Sequence, residues 1–454
     1  MPDRPVPTVL TIAGSDSGGG AGIQADLKAL AACGVHGMTA ITALTAQNTT
    51  GVTGVHPVPR EFIVEQVRAV AEDLGVDAVK TGMLGTAETV AAVSEALDLL
   101  PPGVPLVVDP VIVAESGATL LDEAARRAVV EQLLPRATVL TPNLPEAKTL
   151  LRVAGRAPSD DPEELARGLH ALGPRVVVVT GGHRDEATDV VFDGDRITPL
   201  PGERHPDGAA HGSGCTHASA LAAYLALGVD PIHAARRAKG IAAIAVRDGL
   251  RGLGRGAGPV DVFGMAHRAP DLAAPVPEAG FERTEHGVRP TAPGWYVVNI
   301  ADVPAYAGEG VGQSCDVEPP GAQWRQYGLN IHVLEPGEPN GLYHAETEQE
   351  DFLVLAGEPL LIIEEQERRL RPWDLVHCPP GTKHIFVGAG DGPSAILMAG
   401  GRRPAQRLLY PASEVAARHR ASAHATTPYG KQAYGEIGWP EIVTRRFRWP
   451  PRGV

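Results

Sequence analysis

The stretch TIAGSDSGGGAGIQAD, residues 11–26, predicts a β-strand, a glycine-rich turn and the first part of a helix. Glycine allows the backbone to approach a ligand closely, and open α/β sheets bind ligands above the carboxyl ends of their strands. A turn of this kind also occurs as a plain tight connection between a strand and a helix. The stretch therefore predicts an α/β fold and leaves open whether a ligand binds at the turn.

The same pattern of elements continues to about residue 268. Short runs of Val, Ile and Leu alternate with longer alanine-rich stretches of helical period, as in a mostly parallel sheet covered by helices. The expected strands are residues 9–13, 78–80, 106–109, 139–141 and 176–180. The expected helices are residues 22–33, 61–74, 87–99, 122–134, 162–172, 216–227 and 231–246. Residues 1–268 are therefore predicted to form one α/β domain.

A second domain is expected because 454 residues exceed the size, about 250–300 residues, at which single cores stop growing. Residues 269–293 carry several prolines and no sustained apolar period, which predicts a linker. Residues 294–410 contain short apolar runs separated by Gly and Pro turns, which predicts an all-β sandwich or barrel. Residues 411–454 are expected to form an irregular tail with one helical piece at 413–421.

The composition limits the classes of function. The net charge of −14 disfavours a nucleic-acid partner, which would need a basic face. The four cysteines are far apart and form no CxxC pair, which fits a reducing compartment. No signal peptide and no apolar run of membrane-spanning length are present, so we expect a cytoplasmic protein without a membrane partner.

The segment HGSGCTHASALAAYLA, residues 211–226, opens a helix with small and polar residues. The amides of a first helical turn have no intrahelical partners, and the helix dipole is positive at this end. Gly212, Ser213, Gly214 and Cys215 are therefore expected to form an anion hole for a phosphoryl group. The helix end is also expected to favour the thiolate of Cys215, which makes this residue a candidate base; the alternative is a small packing residue.

Several motifs of the first 268 residues occur in the order found in hydroxymethylpyrimidine and phosphomethylpyrimidine kinases of thiamine biosynthesis, and the chain resembles that family. These motifs are residues 11–26, ITALTAQNTTGV (41–52), KTGM (80–83), VDPVIVAESG (108–117), LTPNLPEA (140–147), GGH (181–183), HGSGCT (211–216) and GRGAGPV (254–260). The resemblance implies a ribokinase-like α/β fold and an ATP- and Mg²⁺-dependent kinase acting on a small molecule. We also expect a homo-oligomer.

The resemblance implies a role for individual residues. Those expected to line the pyrimidine pocket are Gly14, Asp26, Gln47 and Met83. Carboxylate and amide groups match an aminopyrimidine edge, and methionine packs on a ring. The alternative is that Asp26 and Gln47 are only a helix face and a cap.

Further residues are expected at the phosphates. Asp109 ends a buried strand and suits a magnesium ion held through water, or else caps the following loop. Asn143 and Glu146 are expected to meet the nucleotide phosphates or their magnesium. Lys239 is expected to reach the acceptor phosphate, with a solvated helix face as the alternative. Family members usually carry Lys before GGH, whereas this chain has Thr180, so Arg184 or a metal would have to supply the missing charge.

The implied reaction is in-line transfer of the ATP γ-phosphoryl group to the hydroxymethyl oxygen, followed by a second transfer onto the monophosphate. Pyridoxal kinases share the fold and much of the glycine pattern, so pyridoxal is an alternative substrate. A hypothesis of another class is a non-catalytic pyrimidine sensor.

HAETEQE (344–350) and PPGTKH (379–384) resemble the two motifs of cupins. The implied metal ligands are His344, Glu346, Glu350 and His384. Two imidazoles and two carboxylates suit divalent manganese, iron, nickel or zinc, and the alternative is a metal-free cupin. The role of this domain stays open between ligand sensing, separate chemistry and dimerisation.

Overall fold

The computed structural model describes residues 6–113, 120–181, 187–265, 274–319, 323–403 and 406–448. The chain forms two compact units, Met1–Pro270 and Asp271–Val454, and each is described by itself. The predicted domain end at residue 268 lies outside the described residues. Among the helices within these ranges, none has both the length and the hydropathy that crossing a bilayer requires.

The N-terminal unit alternates strands and helices. Its strands are β1 (Thr8–Ala13), β2 (His36–Ile41), β3 (Ala43–Asn48), β4 (Gly51–Pro57), β5 (Ala78–Thr81), β6 (Leu106–Val108), β7 (Val139–Leu140), β8 (Val176–Val179), β9 (Asp189–Phe192) and β10 (Ile197–Leu200). Its helices are α1 (Gly22–Ala32), α2 (Arg60–Asp73), α3 (Ala87–Leu97), α4 (Glu123–Ala128), α5 (Leu144–Val153), α6 (Pro162–His170), α7 (Ser213–Ala226) and α8 (Pro231–Arg247).

The main sheet of this unit has eight strands in the order β10-β9-β8-β7-β6-β5-β1-β2. The strands from β8 to β2 in this order run parallel, and β9 and β10 pair antiparallel at one edge. Helices α2 to α6 supply apolar side chains to the core on one face, whereas α7 packs with α1 and α8 and contacts β1, β5 and β6. The α/β fold class predicted from the sequence is confirmed, and the carboxyl ends of β1, β5, β6, β7 and β8 meet at one edge of the sheet.

Several details differ from the expected elements, which did not include β2, β9, β10 or α5. The expected helix 122–134 ends as α4 at Ala128 and continues as a π-helical segment (Val129–Leu133) and a 3-10 turn (Leu134–Arg136). Pro135 explains the irregular end, because proline has no amide hydrogen and its ring clashes within a regular helix. The hairpin β3–β4 was not expected, although NTTG at residues 48–51 is a turn signal between two alternating runs.

The C-terminal unit is all-β, as predicted. Its strands are β11 (Phe281–Thr284), β12 (Gly287–Pro290), β13 (Pro304–Gly308), β14 (Val311–Cys315), β15 (Tyr327–Leu334), β16 (Ala345–Glu346), β17 (Glu350–Ala356), β18 (Leu360–Ile363), β19 (Gln366–Arg369), β20 (Leu375–Cys378), β21 (His384–Val387), β22 (Ser394–Gly401), β23 (Leu408–Leu409) and β24 (Val443–Arg446). A 3-10 turn (Ile300–Asp302) and the helices α9 (Glu414–Ala417) and α10 (Gly430–Glu436) complete the unit.

Antiparallel sheets enclose the core of this unit. The larger sheet has seven strands in the order β20-β17-β22-β15-β14-β13-β24, and a smaller sheet has the order β19-β18-β21. Side chains of both sheets, including Phe352 on β17 and Phe386 on β21, pack in one cluster. Alternate residues of each strand face this cluster, which is why the apolar runs are short and interrupted.

The expected linker and the expected irregular tail both contain strands. Within the expected linker 269–293, β11 and β12 form a hairpin, in which the Thr284 hydroxyl donates to the Gly287 carbonyl at 3.0 Å. In the expected irregular tail, β24 pairs with β13, and Phe447 is buried in the core. The tail orders because it satisfies the otherwise unpaired backbone groups of an edge strand and buries an aromatic ring.

Candidate active site and candidate metal centre

The glycine-rich turn after β1 packs tightly against neighbouring segments. A Cβ atom at Gly14 would lie 2.3 Å from Met83 Cε, so the two residues are in direct contact and a side chain at residue 14 would displace the end of Met83. Gln47 on β3 is joined to the same turn through Ser17. The backbone amide of Gln47 donates to Ser17 Oγ at 2.8 Å, and Ser17 Oγ donates to the backbone carbonyl of Gln47 at 2.6 Å. Met83 thus contacts Gly14, and Gln47 is joined to the same turn through its backbone; that the three residues line one pocket stays a prediction.

The turn is organised by Asp16, a residue that the sequence analysis did not single out. Its carboxylate accepts hydrogen bonds from the amides of Gly18, Gly20 and Ala21 at 2.7, 3.0 and 2.8 Å. His211 Nε2 lies 3.2 Å from the same carboxylate. Burial raises the pKa of Asp16, but the hydrogen bonds from His211 and from the turn amides outweigh it, and the pKa is lowered.

Helix α7 begins directly beside this turn. Gly212 has φ +86°, and a Cβ atom there would lie 1.8 Å from the Gly20 carbonyl oxygen, so glycine is required for two reasons. The Ser213 amide donates to the Ala210 carbonyl at 2.9 Å. Among the described residues, the Gly214 and Cys215 amides have no hydrogen-bond acceptor, and Gly214 is exposed. The expected anion hole is therefore reduced to two amides of the first turn.

A buried lysine lies beneath α7. The Lys80 side chain has no exposed surface, and its Nζ lies 2.9 and 3.1 Å from the Asp26 carboxylate oxygens and 3.7 Å from Asp109 Oδ2. Asp26 is also fully buried and accepts hydrogen bonds from Thr11 Oγ1 at 2.6 Å and Ser219 Oγ at 2.7 Å. The Asp26 carboxylate has no exposed surface and binds Lys80 and the two hydroxyls, so its expected contact with a pyrimidine stays a prediction.

The protonation of Cys215 also differs from the expectation. Burial raises the pKa of the Cys215 thiol to about 12, although the Lys80 ammonium and a hydrogen bond from the Gly22 amide lower it. The sequence argument counted the potential of the helix end and missed the burial of the thiol. In the described structure Cys215 is therefore a thiol at neutral pH.

Two acidic residues lie together at the carboxyl edge of the sheet. Burial raises the pKa of Asp109 to about 6, against the effect of Lys80. Burial also raises the pKa of Glu146 to about 7, and the charge of Asp109 adds to the increase. Asp109 Oδ2 is buried and accepts no hydrogen bond from the described residues. A buried carboxylate oxygen without a donor, next to a second carboxyl group, fits a divalent cation held at this edge.

Asn143 and Glu146 form the N-terminal capping box of α5. Asn143 Oδ1 accepts from the Glu146 amide at 2.9 Å, and Glu146 Oε2 accepts from the Asn143 amide at 3.0 Å. Glu146 Oε1 accepts from the Ile112 amide at 3.1 Å. These bonds fix both side chains beside Asp109. Both residues therefore cap α5, and a role at the phosphates would be additional to this capping role.

Lys239 is held by a carboxylate. Its Nζ lies 2.8 Å from Asp189 Oδ1 and donates to the Ala187 carbonyl at 2.5 Å. Asp189 Oδ1 also accepts a hydrogen bond from the Gly181 amide at 2.9 Å. Thr180 lies next to Asn143 in a parallel bridge. Gly182, His183 and Arg184 lie outside the described residues, as do residues 114–117 of the motif VDPVIVAESG. The expected contacts of Lys239 and Thr180 with phosphates stay predictions.

Three of the four expected metal ligands of the C-terminal unit lie together. One ligand atom each from His344, Glu350 and His384 lies within 4.8 Å of the others. His384 Nε2 is 3.3 Å from Glu350 Oε2, and His344 Nε2 is 3.7 Å from Glu346 Oε1. His344, Glu350 and His384 thus surround one point, whereas Glu346 lies beside His344 and accepts a hydrogen bond from Gln406.

Hydrogen bonds orient the two imidazoles of this cluster. His344 Nδ1 donates to the Leu342 carbonyl at 2.7 Å, and His384 Nδ1 donates to the Thr382 carbonyl at 3.1 Å. Both Nε2 atoms are therefore left with a free lone pair directed to the cluster. Burial, with the charge of Glu346, raises the pKa of Glu350 to about 8. An acidic group kept from ionising by burial, between two imidazole lone pairs, fits a bound divalent cation.

Comparison with known proteins agrees with this division. Residues 16–261 match the family model described as phosphomethylpyrimidine kinase, and residues 330–400 match the cupin domain model. A hydroxymethylpyrimidine/phosphomethylpyrimidine kinase of Rhizobium meliloti is 50% identical over 261 residues, which are 56% of this chain and 96% of that protein. A thiamine biosynthesis bifunctional protein of Geobacter sulfurreducens is 48% identical over 259 residues, which are 56% of this chain and 52% of that protein.

Solved structures resemble the N-terminal unit. The pyridoxal kinase from Staphylococcus aureus in complex with ADP is 35% identical, covers 58% of this chain and 95% of that one, and has a TM-score of 0.53. The ADP complex of Bacillus subtilis pyridoxal kinase is 36% identical, and the match covers 57% of this chain and 99% of that one with a TM-score of 0.52.

The mostly parallel sheet with helices on both faces and the glycine-bounded start of α7 define a kinase of the ribokinase-like class. The chain belongs to the phosphomethylpyrimidine kinase family, and a cupin domain forms part of its C-terminal unit.

Proposed function

We propose that the N-terminal unit transfers the γ-phosphoryl group of ATP to 4-amino-5-hydroxymethyl-2-methylpyrimidine and then to its monophosphate. The family and the names of the relatives support this reaction. The geometric observation that supports it best is the unused pair of amides at Gly214 and Cys215, which lies beside the glycine turn and above the Lys80–Asp109 pair. Phosphoryl transfer needs positioning and charge stabilisation more than covalent chemistry from the protein.

The residues divide into a substrate side and a phosphate side. Gly14, Gln47 and Met83 would hold the pyrimidine, and the α7 amides would meet the transferring group. Asp109 and Glu146 would hold Mg²⁺ through water; the ion, when bound, neutralises charge on the nucleotide phosphates. Lys80 lies behind these carboxyl groups and pairs with the buried Asp26 carboxylate.

Cys215 remains our candidate for the acceptor of the hydroxyl proton in the first transfer. Because its pKa lies near 12 in the described structure, this role requires substrate binding to bring a donor or the Lys80 charge closer. A Cys215→Ala variant tests the role. We expect a large loss of the first transfer and a smaller loss of the second, whose acceptor is already anionic; equal turnover in the first step would remove Cys215 from the mechanism.

A coupled ADP-release assay with three acceptors tests the proposed function as a whole. We expect ADP release with hydroxymethylpyrimidine and with its monophosphate. Release with neither compound would contradict the proposal and favour a non-catalytic sensor. Asp109→Asn is the matched negative control, since it keeps the size of the side chain and removes its charge.

Pyridoxal is the second candidate acceptor in this assay. The observation in its favour is the similarity, at 35% identity and a TM-score of 0.53, to a structure of a pyridoxal kinase. ADP release with pyridoxal alone would assign the N-terminal unit to that activity instead.

We further propose that the C-terminal unit binds a divalent transition metal through His344, Glu346, Glu350 and His384. Elemental analysis of chain purified without chelators is expected to give about one metal per chain, and His384→Ala to give none. His377→Ala is the matched control, because His377 pairs with Asp351 away from the cluster. Metal-free wild-type protein that takes up none of manganese, iron, nickel or zinc would contradict this proposal.

A further inference from the structure

The C-terminal unit contains a cavity that is separate from the metal cluster. Its volume is about 350 Å³; it opens to solvent and lies between β13, β14 and β15 and the segment around Tyr434 and Trp439. None of the four metal-cluster residues lines it. Volumes of about 300 to 1,000 Å³ are usual for small-molecule sites.

Three residues on neighbouring strands place their side chains in one row of this cavity. Tyr306 pairs with Ser314, and Ser314 pairs with His332, so all three face the same side of the sheet. Residues paired in this way lie about 5 Å apart. The row is therefore wide enough to contact one small ring at several points.

Aromatic rings form much of the wall. Tyr434 and Trp439 contact each other edge to face, with ring centroids 5.1 Å apart. Tyr306 and His332 lie among the residues that line the cavity with them. Such walls favour a planar ring, which can stack on an aromatic face or meet its edge.

Two polar side chains of the row are unused. Within the described part of the chain, neither the His332 ring nitrogens nor Ser314 Oγ has a hydrogen-bond partner. Burial lowers the pKa of His332 to about 4, so the ring is neutral and offers one donor and one acceptor. A ligand that carries both a donor and an acceptor would bond to both of these partly buried groups.

The cavity is unsuited to an anion. No lysine or arginine side chain is among its lining residues. The nearest ionised group in the contacts of the row is Asp316, which accepts from the Tyr306 hydroxyl at 3.1 Å and pairs with Arg289 at 2.8 Å. A phosphate entering the cavity would lose hydration, and the cation that acts on Tyr306, Arg289, is already paired with Asp316.

We propose that this cavity binds an uncharged, planar ring compound bearing amine and hydroxyl groups and excludes its phosphorylated form. The first substrate of the proposed kinase, the unphosphorylated aminopyrimidine alcohol, is a compound of this class. The choice of that compound rests on the proposed function. The cupin-containing unit would then distinguish the first substrate of the kinase from its product.

Equilibrium dialysis of the full chain without nucleotide tests the proposal, with labelled hydroxymethylpyrimidine and its monophosphate as probes. His332→Leu and Ser314→Leu are each expected to bind one fewer molecule of the alcohol per chain than the wild type. Neither substitution is expected to change the binding of the monophosphate. His377→Leu, outside the cavity, is the matched control and should bind as the wild type does.

The outcome is separate from that of the proposed function. If both cavity variants bind as much alcohol as the wild type, the cavity proposal is overturned, whatever the rate of ADP release. The cavity proposal is also overturned if these variants lose a monophosphate site together with the alcohol site. If the chain releases no ADP but the variants lose one alcohol site, the proposed function fails and the cavity proposal stands. Thermal unfolding of each variant identifies any that does not fold, and the other variant then decides.

Discussion

Lys80 is the residue on which the polar core beneath the candidate active site depends. One fully buried ammonium group faces Asp26 at 2.9 Å and Asp109 at 3.7 Å. Two carboxylates cannot both be neutralised by one cation, and the pKa of Asp109 is accordingly raised, with burial as its main cause. The cluster therefore combines a stabilising pair, Lys80–Asp26, with a destabilised carboxyl group at the position where a cation is expected.

Lys80→Met is expected to lower the free energy of unfolding of the N-terminal unit by about 3 to 5 kcal/mol, because it leaves the Asp26 carboxylate buried without a counter-ion. Urea unfolding measures the change. Lys148→Met is the control: its pair with the exposed Asp160 lies at the surface, and we expect a change within about 1 kcal/mol. If adding Asp26→Leu to Lys80→Met recovers none of the stability, the loss did not come from the unpaired charge.

Asp109→Asn is expected to stabilise the N-terminal unit at pH 8 while abolishing activity. The folded unit binds the Asp109 proton more tightly than the unfolded chain, with a pKa of about 6 against 3.8, so stability falls as the pH rises between these values. Above this pH window the cost of burying the ionised Asp109 is fully present. Removing the charge should therefore raise the free energy of unfolding by about 1 to 3 kcal/mol. Urea unfolding at pH 4 and pH 8 tests this; an equal gain at both pH values would show that the charge is not the cause.

At the scale of elements, the first turn of α7 is the part of the fold that creates the candidate site. Its start is fixed by Gly212 against the Gly20 carbonyl, and the adjoining turn is fixed by Asp16 and His211. Because strand β1 carries the glycine turn and α7 packs on β1, β5 and β6, the unused amides lie over the carboxyl edge of the sheet. The helix thus contributes to the candidate site through the amides of its first turn. Its buried small residues allow that turn to pack close to the sheet.

Gly212→Ala is expected to reduce turnover at least about 100-fold, since a side chain at φ +86° would displace either the turn or the helix start from a position that catalysis needs accurately. Gly228→Ala is the matched control after the other end of α7: it also has positive φ, at +78°, but a Cβ atom there meets nothing. We expect Gly228→Ala to cost stability alone, about 1 kcal/mol. Steady-state rates and thermal unfolding of both variants separate the two effects, and equal rates would contradict the role of the helix start.

At the scale of the whole molecule, the chain combines two units with separate cores and separate candidate sites. The candidate nucleotide site lies in the first unit, and the metal cluster and the cavity lie in the second. A ligand stabilises the unit that it binds in the folded state only, by about 2.7 kcal/mol at a concentration of 100 times Kd.

Calorimetry of the full chain is therefore expected to show two unfolding transitions with different ligand responses. ATP with Mg²⁺ should raise the transition temperature of the N-terminal unit, and the transition metal should raise that of the C-terminal unit. His384→Ala should remove only the second response. A single transition that both ligands shift equally would contradict independent stabilisation of the units.

The sequence by itself determined the features that follow from local pattern. Alternating apolar runs predicted the α/β and all-β units, and glycines with a following helix predicted the turn and the start of α7. Each of these depends on residues close together in the chain, where the periods of strand and helix dictate which side chains share a face.

Only the tertiary structure decided which distant groups pair and what is buried. The partner of Asp26 is Lys80, 54 residues away, and the partner of Asp16 is His211, 195 residues away. The burial of Cys215 reversed its expected thiolate character, and the tail became ordered by pairing β24 with β13. The physical reason is that desolvation and long-range pairing depend on how crossover connections bring separate segments together, which local periodicity does not encode.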